Sequence, residues 1–227
     1  MTTELQRSAG PVVIAIDGPA GAGKSTVGRR LADRLGLAYL DTGAMYRAMT
    51  FAAIRRGVPF GDLQAVADMA PDVDVRLDGG GVSVDGVDAT SAIRGRDVTD
   101  AVSQIAANPM VRDVLVARQR QWVVERGGAV VEGRDIGTVV FPDARLKVFV
   151  TASARVRAER RVREIGGDVD EVERAIVARD RRDAEREHSP LAEARDAVVV
   201  DTTELSIDAV VDAVVGLLAD VGGGVGR

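Results

Sequence analysis

The chain has 227 residues, of which 46% are apolar, and a formal net charge of −5. This length allows one substantial core, and no apolar run approaches the roughly 18 to 20 residues that a membrane span needs. The acidic balance provides no global positive field for a nucleic-acid polymer. Cysteine is absent, and a single histidine, His188, excludes a zinc-protease helix, which needs two. We therefore expect a cytoplasmic protein that binds neither a membrane nor a nucleic-acid polymer, and in which His188 is structural.

The first 57 residues alternate between strand and helix signals. The β-branched run VVIAID predicts a buried strand over residues 12–17, and the helical spacing that follows predicts a helix that ends at Gly36. LAYLDTG predicts a short second strand, and AMYRAMTFAAIRRG predicts a second helix that ends at Gly57. This order favours an α/β fold with a parallel sheet and helices on its faces.

The middle of the chain changes character. The segment DVDVRLDGGGVSVDGVDATSAIR alternates apolar and polar residues, and Asp85-Gly86 is a hairpin-turn signal, so we expect a small antiparallel insert. The later signals predict helices around 97–107 and 109–126, strands at 129–133 and 146–152, an arginine-dense helical segment at 153–187 interrupted at Gly166-Gly167, a strand at 197–201 and a final amphipathic helix.

The stretch GPAGAGKST joins the first predicted strand to the first predicted helix and matches the pattern G-x-x-x-x-G-K-[ST]. Its glycines let backbone N–H groups approach a phosphate, and the following helix adds its positive N-terminal end. The compact ammonium of Lys24 suits the β- and γ-phosphates, and the hydroxyl of Ser25 suits Mg²⁺. A chance glycine turn is the alternative, but the strand–loop–helix context favours a phosphate-binding loop.

The other phosphate-loop classes can be compared with this sequence. A GTPase normally carries N-K-x-D for guanine, whereas the only asparagine, Asn108, lies in AANPM. A large motor ATPase is incompatible with this length. The remaining class is a small kinase that passes phosphate from ATP to a bound small molecule.

Charged residues near the predicted strand ends indicate the second substrate, because ligands collect at the carboxyl ends of parallel strands. Arg47 in DTGAMYR belongs to such a crevice, unless the segment is only a helix start capped by Asp41 or Thr42. Charged residues at the end of the predicted strand 129–133 either contact a ligand or form an internal salt bridge. These charges are Glu132, Arg134 and Asp135.

The arginine-dense segment offers a cationic face. Most of its arginines are expected on a solvated helix surface with acidic partners. One set recurs at helical spacing, and it comprises Arg179, Arg182 and Arg186, with Asp183 beside them. Phosphoryl transfer needs positioned cations and the exclusion of water, so this segment could close over ATP as a lid around Gly166-Gly167.

Taken together, these motifs resemble bacterial cytidylate kinases, of the nucleoside monophosphate kinase family. The resemblance covers nearly the whole chain and rests on IDGPAGAGKST, LDTGAMYR, SQIAANPMVRDVLVARQR, EGRDIGTVVFPDA, RDRRD with its following PL, and DTTELSIDAVV, in the order of that family. The insert near residues 71–94 fits the enlarged monophosphate-binding region of cytidylate kinases. One departure is Glu132, which stands where an aspartate is more usual.

The resemblance implies a role for each matching residue. The residues implied to bind ATP are Gly18, Pro19, Ala20, Gly21, Ala22, Gly23, Lys24, Ser25 and Thr26, with Arg157 of the lid, and Ser25 is also the Mg²⁺ ligand. The residues implied to surround the monophosphate are Thr42, Arg47, Arg134, Arg179 and Arg186. Those implied to contact the cytosine or ribose are Ser103, Arg112 and Asp183, with Asp135 nearby. The catalytic set among these is Lys24, Arg134, Arg179 and Arg186.

The resemblance also implies a three-layer P-loop kinase fold in a single domain, residues 1–227. Within it we expect a core (10–40, 95–150 and 197–220), a monophosphate-binding region with the insert (41–94) and an arginine-rich helical lid (152–170). The implied reaction is the ATP- and Mg²⁺-dependent phosphorylation of CMP and dCMP by a monomer. Two alternatives remain, namely a kinase that prefers UMP or a non-nucleotide alcohol, and a nucleotide-binding regulator without catalysis.

Overall fold

The structure, a computed structural model, describes residues 10–187 and 189–223, apart from the side chains of 220–223. The expectation for His188 lies outside the described residues. The strands are β1 (Val12–Asp17), β2 (Ala38–Asp41), β3 (Val75–Asp78), β4 (Gly81–Val84), β5 (Val87–Asp88), β6 (Gly128–Glu132), β7 (Leu146–Thr151) and β8 (Val198–Asp201). The α-helices are α1 (Lys24–Leu35), α2 (Thr42–Arg56), α3 (Leu63–Met69), α4 (Arg96–Ala107), α5 (Pro109–Glu125), α6 (Ala154–Ile165), α7 (Val169–Ala184) and α8 (Ile207–Gly223).

The described strands form a five-stranded sheet in the order β2-β6-β1-β7-β8 and a three-stranded sheet in the order β3-β4-β5. In the larger sheet β1 pairs in parallel with β6 and β7, and β7 pairs in parallel with β8. In the smaller sheet both pairings are antiparallel. The expected parallel sheet with a small antiparallel insert is therefore confirmed.

Local signals explain why these elements begin and end where they do. Helices α1 and α2 stop at Gly36 and Gly57, whose left-handed conformations let their N–H groups bond back to the last turn. Asp85 and Gly86 have φ values of 50° and 76° in the two-residue turn between β4 and β5, as the hairpin signal predicted. The arginine-dense segment divides at Gly166 into α6 and α7.

The sequence analysis did not predict helix α3 or the π-helical turn at Ile136–Val140, and it placed β3 within the antiparallel insert without giving its bounds. Helix α3 has only seven residues, and its start depends on Asp62, whose side chain accepts a hydrogen bond from the Ala65 N–H. Short elements of this kind carry too few periodic positions to give a sequence signal.

The main core lies where α1 and α8 cover the larger sheet. It includes Ile14, Ile16, Val27, Leu31, Val130, Val148, Val150, Val200, Val210 and Val214. Surface ion pairs between Arg30 and Asp208 and between Arg34 and Asp212 join the same two helices. Exposed pairs of this kind each contribute about 0–1 kcal/mol, so apolar burial is the dominant stabilising term here.

The contacts group the chain into two compact units. The first consists of the described residues of Met1–Leu40 and Gln121–Arg227, and it contains most of the larger sheet. The second, Asp41–Arg120, contains α2, α3, α4, most of α5 and the smaller sheet. No helix among the described residues is both long enough and apolar enough to cross a bilayer.

The start of β6 provides a test of backbone packing, because two adjacent glycines both have positive φ but only one of them lies against a neighbouring backbone. A Cβ on Gly128, where φ is 146°, would lie 2.6 Å from the Val12 carbonyl oxygen of β1. A Cβ on Gly127, where φ is 71°, would meet nothing within 4 Å. We expect Gly127→Ala to lower the free energy of unfolding by about 1–2 kcal/mol, the cost of a left-handed alanine. Gly128→Ala should cost at least about 2 kcal/mol more, because the β1–β6 pairing must shift. Urea unfolding of both variants measures the difference, and equal losses would contradict the packing argument.

Candidate active site

Polar residues end four neighbouring strands of the larger sheet. They are Asp17 of β1, Glu132 of β6, Thr151 of β7 and Asp201 of β8. The parallel pairings of these strands keep their carboxyl ends at one edge. Connections that leave this edge therefore bring polar groups together, as ligand sites in parallel sheets require.

The predicted phosphate loop connects β1 to α1 at this edge. Gly18 has a φ of 142°, and a Cβ there would lie 2.0 Å from the Val150 carbonyl oxygen, so only glycine fits. Gly23 is the left-handed N-cap of α1, and no side chain of the described residues caps this helix. The first N–H groups of α1 are therefore not occupied by a capping side chain, which suits an anion.

Four side chains donate hydrogen bonds to carbonyl groups of this loop. The pairs are Arg134 Nη1 with Gly18 O (2.5 Å), Lys24 Nζ with Pro19 O (2.8 Å), Arg157 Nη1 with Ala20 O (3.1 Å) and Thr202 Oγ1 with Ala22 O (3.0 Å). Lys24 thus lies against its own loop. Ser25 and Thr26, the last residues of the predicted loop, are in the exposed first turn of α1.

The Ser25 hydroxyl donates a 2.7 Å hydrogen bond to Oε1 of Glu132. Glu132 is only 5% exposed although it is a carboxylate at a strand end. The sequence left the role of this residue open, and the structure shows it beside the predicted magnesium ligand. Two oxygen groups at the edge of the phosphate loop are the kind of ligands that Mg²⁺ prefers.

Asp17 is a buried carboxylate that holds the turn after β6. Its two oxygens accept hydrogen bonds from the N–H groups of Ile136 (2.8 Å) and Gly137 (2.7 Å). The pKa of Asp17 is raised from its usual value of 3.8 to about 6, mainly by burial and to a lesser extent by the negative charge of Asp135, while the two amides and Lys24 oppose the rise. Asp17 therefore fixes the backbone next to Arg134 and Asp135 at an electrostatic cost.

Three of the predicted catalytic arginines converge on one carboxylate. Asp183, which is 1% exposed, lies 3.0 Å from Nε of Arg134, 2.5 Å from Nη2 of Arg186 and 3.9 Å from Nε of Arg179. The salt-bridge alternative considered for Arg134 is thus realised. It does not exclude a ligand role, because the same carboxylate orients Arg134 and Arg186 and lies close enough to attract Arg179.

Arg157 occupies a different place from the one expected of a lid arginine. It is 6% exposed, and its Nε donates to the Ala152 carbonyl (2.9 Å) while its Nη1 lies 2.5 Å from Oδ2 of Asp180 on α7. With its further bond to Ala20, this side chain lies beneath the phosphate loop. Arg155, by contrast, is on the surface of the same helix and pairs with Asp170.

The second compact unit carries the other residues implied to bind the monophosphate and its base. Asp41 caps α2 by accepting a 2.8 Å hydrogen bond from the Ala44 N–H and pairs with Arg47 at 3.0 Å. The capping interpretation of this segment is therefore correct for Asp41, and the same carboxylate orients Arg47. Thr42, the first residue of α2, is 3% exposed.

Two further residues of this unit come from α4 and α5. Ser103 is half-buried on α4. Arg112 is 5% exposed on α5, and its guanidinium lies 5.7 Å from the centre of the Tyr46 ring. Stacking on an aromatic ring restricts the orientation of this guanidinium without neutralising its charge.

Sequence reasoning assigned no role to four residues of this edge. They are Asp17, Arg160, Asp180 and Thr202. For Asp17 a signal existed, since a carboxylate directly after a buried strand requires a specific partner. The others make contacts that only the folded chain reveals, and the clearest case is Thr202, which bonds to Ala22, 180 positions away in the chain.

Comparison with known proteins identifies the family. A family model described as "Cytidylate kinase" matches residues 14–220. The chain belongs to the cytidylate kinase family. The cytidylate kinase of Geobacillus kaustophilus (strain HTA426) is 48% identical over 212 residues, which cover 89% of this chain and 94% of that protein. A bifunctional pantoate ligase/cytidylate kinase of Synechococcus sp. (strain JA-2-3B'a(2-13)) is 50% identical over 215 residues, which cover 89% of this chain and 40% of that longer protein.

A solved structure supports the fold alone. A gluconokinase from Sinorhizobium meliloti 1021 has a TM-score of 0.51 and 17% sequence identity, with 93% of each chain covered. The family expected from the sequence motifs is confirmed by the family model and by the relatives. The P-loop kinase fold class is confirmed as well.

The buried carboxylate of Asp17 predicts a specific pH dependence of stability. Because the pKa of Asp17 is raised from 3.8 to about 6, its contribution to folding is fully present below pH 3.8 and is lost as the pH rises through 6. The full effect is roughly 3 kcal/mol. Asp17→Asn removes this titration, although the loss of one amide acceptor adds a cost that does not depend on pH.

Urea unfolding of the unliganded protein from pH 4 to pH 7 checks this expectation. The free energy of unfolding of the wild type, minus that of Asp17→Asn, should fall by up to about 3 kcal/mol across this range. Asp33→Asn, at an exposed position on α1, is the matched control. A difference that does not change with pH would show that Asp17 is not a high-pKa buried acid.

Proposed function

We propose that this protein transfers the γ-phosphoryl group of ATP to CMP and dCMP, producing ADP with CDP or dCDP. ATP-dependent phosphorylation of CMP is the activity of the family to which the chain belongs. The observation that carries the proposal is the combination, within one compact unit, of an uncapped helix start, a lysine in the glycine loop and three arginines around Asp183. The use of dCMP, the requirement for Mg²⁺, a monomeric state and a cytoplasmic location belong to the proposal.

The donor side of the reaction is assigned to the phosphate loop and its neighbours. Main-chain N–H groups of the loop and of the first turn of α1 bind the triphosphate, and Lys24 exchanges the Pro19 carbonyl for β- and γ-phosphate oxygens. Neutral carbonyl oxygens attract an ammonium less strongly than phosphate oxygens do, so this exchange is favourable.

The residues near the loop also fit Mg²⁺. This ion usually takes one or two protein oxygens and completes its shell with phosphates and water. Ser25 and Glu132 supply such oxygens, and among the described residues no group of three His, Cys, Asp or Glu side chains could hold a metal alone. When bound, Mg²⁺ would neutralise charge on the β- and γ-phosphates.

The acceptor side is assigned to the arginine set and to the second unit. Arg134, Arg179 and Arg186 are proposed to meet the charge of the moving phosphoryl group, and planar guanidinium groups suit phosphate oxygens. The second unit contributes the residues that its family resemblance implies, which are Thr42, Arg47, Ser103 and Arg112. Asp183 is proposed to orient Arg134 and Arg186, with Arg179 nearby. Asp135 is proposed to lie near the cytosine or ribose.

The transfer itself requires little covalent chemistry from the protein. A phosphate oxygen of CMP forms a bond to Pγ, while the bond between Pγ and the β,γ-bridging oxygen breaks and its electron pair leaves with ADP. The attacking oxygen is already ionised, so no base has to remove a proton. The protein accelerates this step by positioning both phosphates and by stabilising the charge that spreads over the transferred group.

A substrate panel tests the proposed function directly. Purified protein with MgATP is expected to convert CMP and dCMP to their diphosphates, with slower turnover of UMP and AMP, measured by chromatographic separation of the products. An acceptor in the cytosine site that binds the exocyclic amino group would be left unpaired by uracil, which is the physical reason for the preference. Turnover of AMP but not CMP would contradict the assignment. Binding of ATP with no product from any monophosphate would favour the regulator alternative.

Lys24 provides the second test, because its chemistry differs from that of arginine. Both Lys24→Ala and Lys24→Arg are expected to lower kcat by about 10²–10³-fold, since a planar guanidinium fits the loop poorly and alanine removes the charge. Unfolding midpoints should change little, because the hydrogen bond from Lys24 Nζ goes to a carbonyl of its own loop rather than to a distant element. The matched control is Lys147→Arg, at the other lysine of the chain, which is 8% exposed and whose ammonium pairs with the exposed carboxylate of Asp196, away from the loop. Activity of Lys24→Arg within about threefold of the wild type would contradict the role of a compact ammonium.

A further inference from the structure

Two carbonyl groups of the phosphate loop are held by side chains from distant segments. Nη1 of Arg157 lies 3.1 Å from Ala20 O, and Oγ1 of Thr202 lies 3.0 Å from Ala22 O. The two donors are themselves buried, with exposures of 6% for Arg157 and 4% for Thr202. The carbonyl groups of Ala20 and Ala22 are thus held on one side of the loop, which we call its outer side, by two buried side chains.

The direction of a carbonyl determines the direction of the next N–H. In a trans peptide these two groups point in opposite directions, and the described residues contain no cis peptide. A hydrogen bond that holds Ala20 O on the outer side therefore turns the Gly21 N–H to the inner side. The bond to Ala22 O does the same for the Gly23 N–H, which belongs to the N-cap of α1. Successive inward N–H groups are what a phosphate loop offers to its ligand.

We propose that Thr202 and Arg157 are positioning residues for ATP, which orient the N–H groups of Gly21 and Gly23 through the carbonyl groups of the loop. Neither side chain has to touch the nucleotide to do so. The inference rests on the proposed ATP-dependent transfer, and it replaces a direct lid contact as the role of Arg157. Preorganised donors of this kind strengthen phosphate binding because the loop does not have to reorganise when the ligand arrives.

The surroundings of Thr202 hold its hydroxyl oxygen next to the loop. Nη1 of Arg160 donates to Oγ1 at 3.0 Å, and Nη2 donates to the Thr202 carbonyl at 2.6 Å, which holds the residue in place. A second carbonyl, that of Thr151, also lies 3.0 Å from Oγ1, but it already accepts the Thr202 N–H at 2.8 Å. Because the Thr151 carbonyl keeps the Thr202 N–H as a donor when the hydroxyl is removed, loss of the hydroxyl acts mainly on the Ala22 carbonyl.

The surroundings of Arg157 fix it in the same way. Its Nε is bonded to the Ala152 carbonyl at the end of β7, and Asp180 of α7 balances its charge. A guanidinium that is buried, paired and bonded to two main-chain carbonyls is rigid. It can therefore hold the Ala20 peptide in one orientation, which a mobile surface arginine could not do.

Three variants separate the proposed role from a purely structural one. Thr202→Val keeps the shape but removes the hydroxyl, Thr202→Ser restores the hydroxyl, and Thr203→Val is the control, because Thr203 bonds to Asp201 and Ser153 rather than to the loop. The dissociation constant of MgATP by calorimetry, KM for ATP and for CMP, and the urea midpoint are measured for each. Thr202→Val should raise Kd and KM for ATP roughly tenfold, with KM for CMP at saturating ATP changed less than about twofold. Thr202→Ser and Thr203→Val should bind MgATP like the wild type.

Competition by inorganic tripolyphosphate identifies the part of ATP that is affected. If the loop is mispositioned, Thr202→Val should weaken the binding of tripolyphosphate as much as the binding of MgATP, since the loop holds both ligands through phosphates. A lower affinity for MgATP with an unchanged affinity for tripolyphosphate would mean that Thr202 contacts the nucleoside, and it would overturn the proposal. A lower urea midpoint with wild-type affinity for MgATP would overturn it too, because the role would then be structural only.

Arg157→Lys tests the second positioning residue. The substitution keeps the positive charge but cannot serve the Ala152 and Ala20 carbonyls from two separate nitrogens, so the same rise in Kd for MgATP and tripolyphosphate is expected. Unchanged affinity for both would remove Arg157 from the proposal. Failure of the proposed function has a different signature, namely that the wild type binds MgATP but forms no CDP, and the effects on MgATP affinity can still be measured in that case.

Discussion

The parallel register of β1 between β6 and β7 determines where the charged groups of the first unit lie. All six residues of β1 are buried, so the strand is fixed by apolar contacts on both faces. A shift of one residue would move its apolar set to the opposite faces of the sheet. The same shift would separate the carboxyl ends from which the loop and Glu132 extend. The stability of the sheet and the geometry of the site thus have the same origin.

The site also contains two buried carboxylates, Asp17 and Asp183, whose role is to orient neighbouring groups. Asp17 holds two amides of the turn at Ile136–Val140, and Asp183 holds Arg134 and Arg186 with Arg179 nearby, yet both carboxylates are almost fully removed from water. Burying a carboxylate is costly, and an apolar residue would often be more stabilising. These two residues are better explained by what they orient, since Asp17 fixes the backbone beside Arg134 and Asp183 fixes its guanidinium.

Much of this architecture could be read from local patterns in the sequence. β-Branched runs located β1, β6, β7 and β8, and Gly36 and Gly57 located the ends of α1 and α2, because these signals act within a few residues. The phosphate loop was equally local. The order of the strands and the short helix α3 were not predicted, since they depend on pairings between distant segments.

The side chains of the site likewise divide into those that local sequence pattern reveals and those that only the folded chain reveals. Sequence pattern found Lys24 and the arginines around Asp183, because charge at a given spacing is visible in a linear chain. It did not show which arginine turns inward, and Arg157 lies under the loop whereas Arg155 of the same helix is exposed. Thr202 was invisible for a related reason, because a threonine bonded to a carbonyl has the same sequence appearance as any surface threonine.

The partners of the cations also predict how each one responds to a phosphate. Lys24 is bonded to a neutral carbonyl, from which an anionic oxygen can withdraw it at little cost. Arg134 and Arg186 are paired with Asp183, and removing them would leave a buried carboxylate unpaired, which is expensive. Phosphate therefore has to join these arginines at their remaining donors rather than displace their partner. Because a guanidinium has five N–H groups, it can satisfy both acceptors, whereas a lysine held by Asp183 would have fewer donors to share. This difference explains why arginines surround Asp183 whereas a lysine stands in the loop.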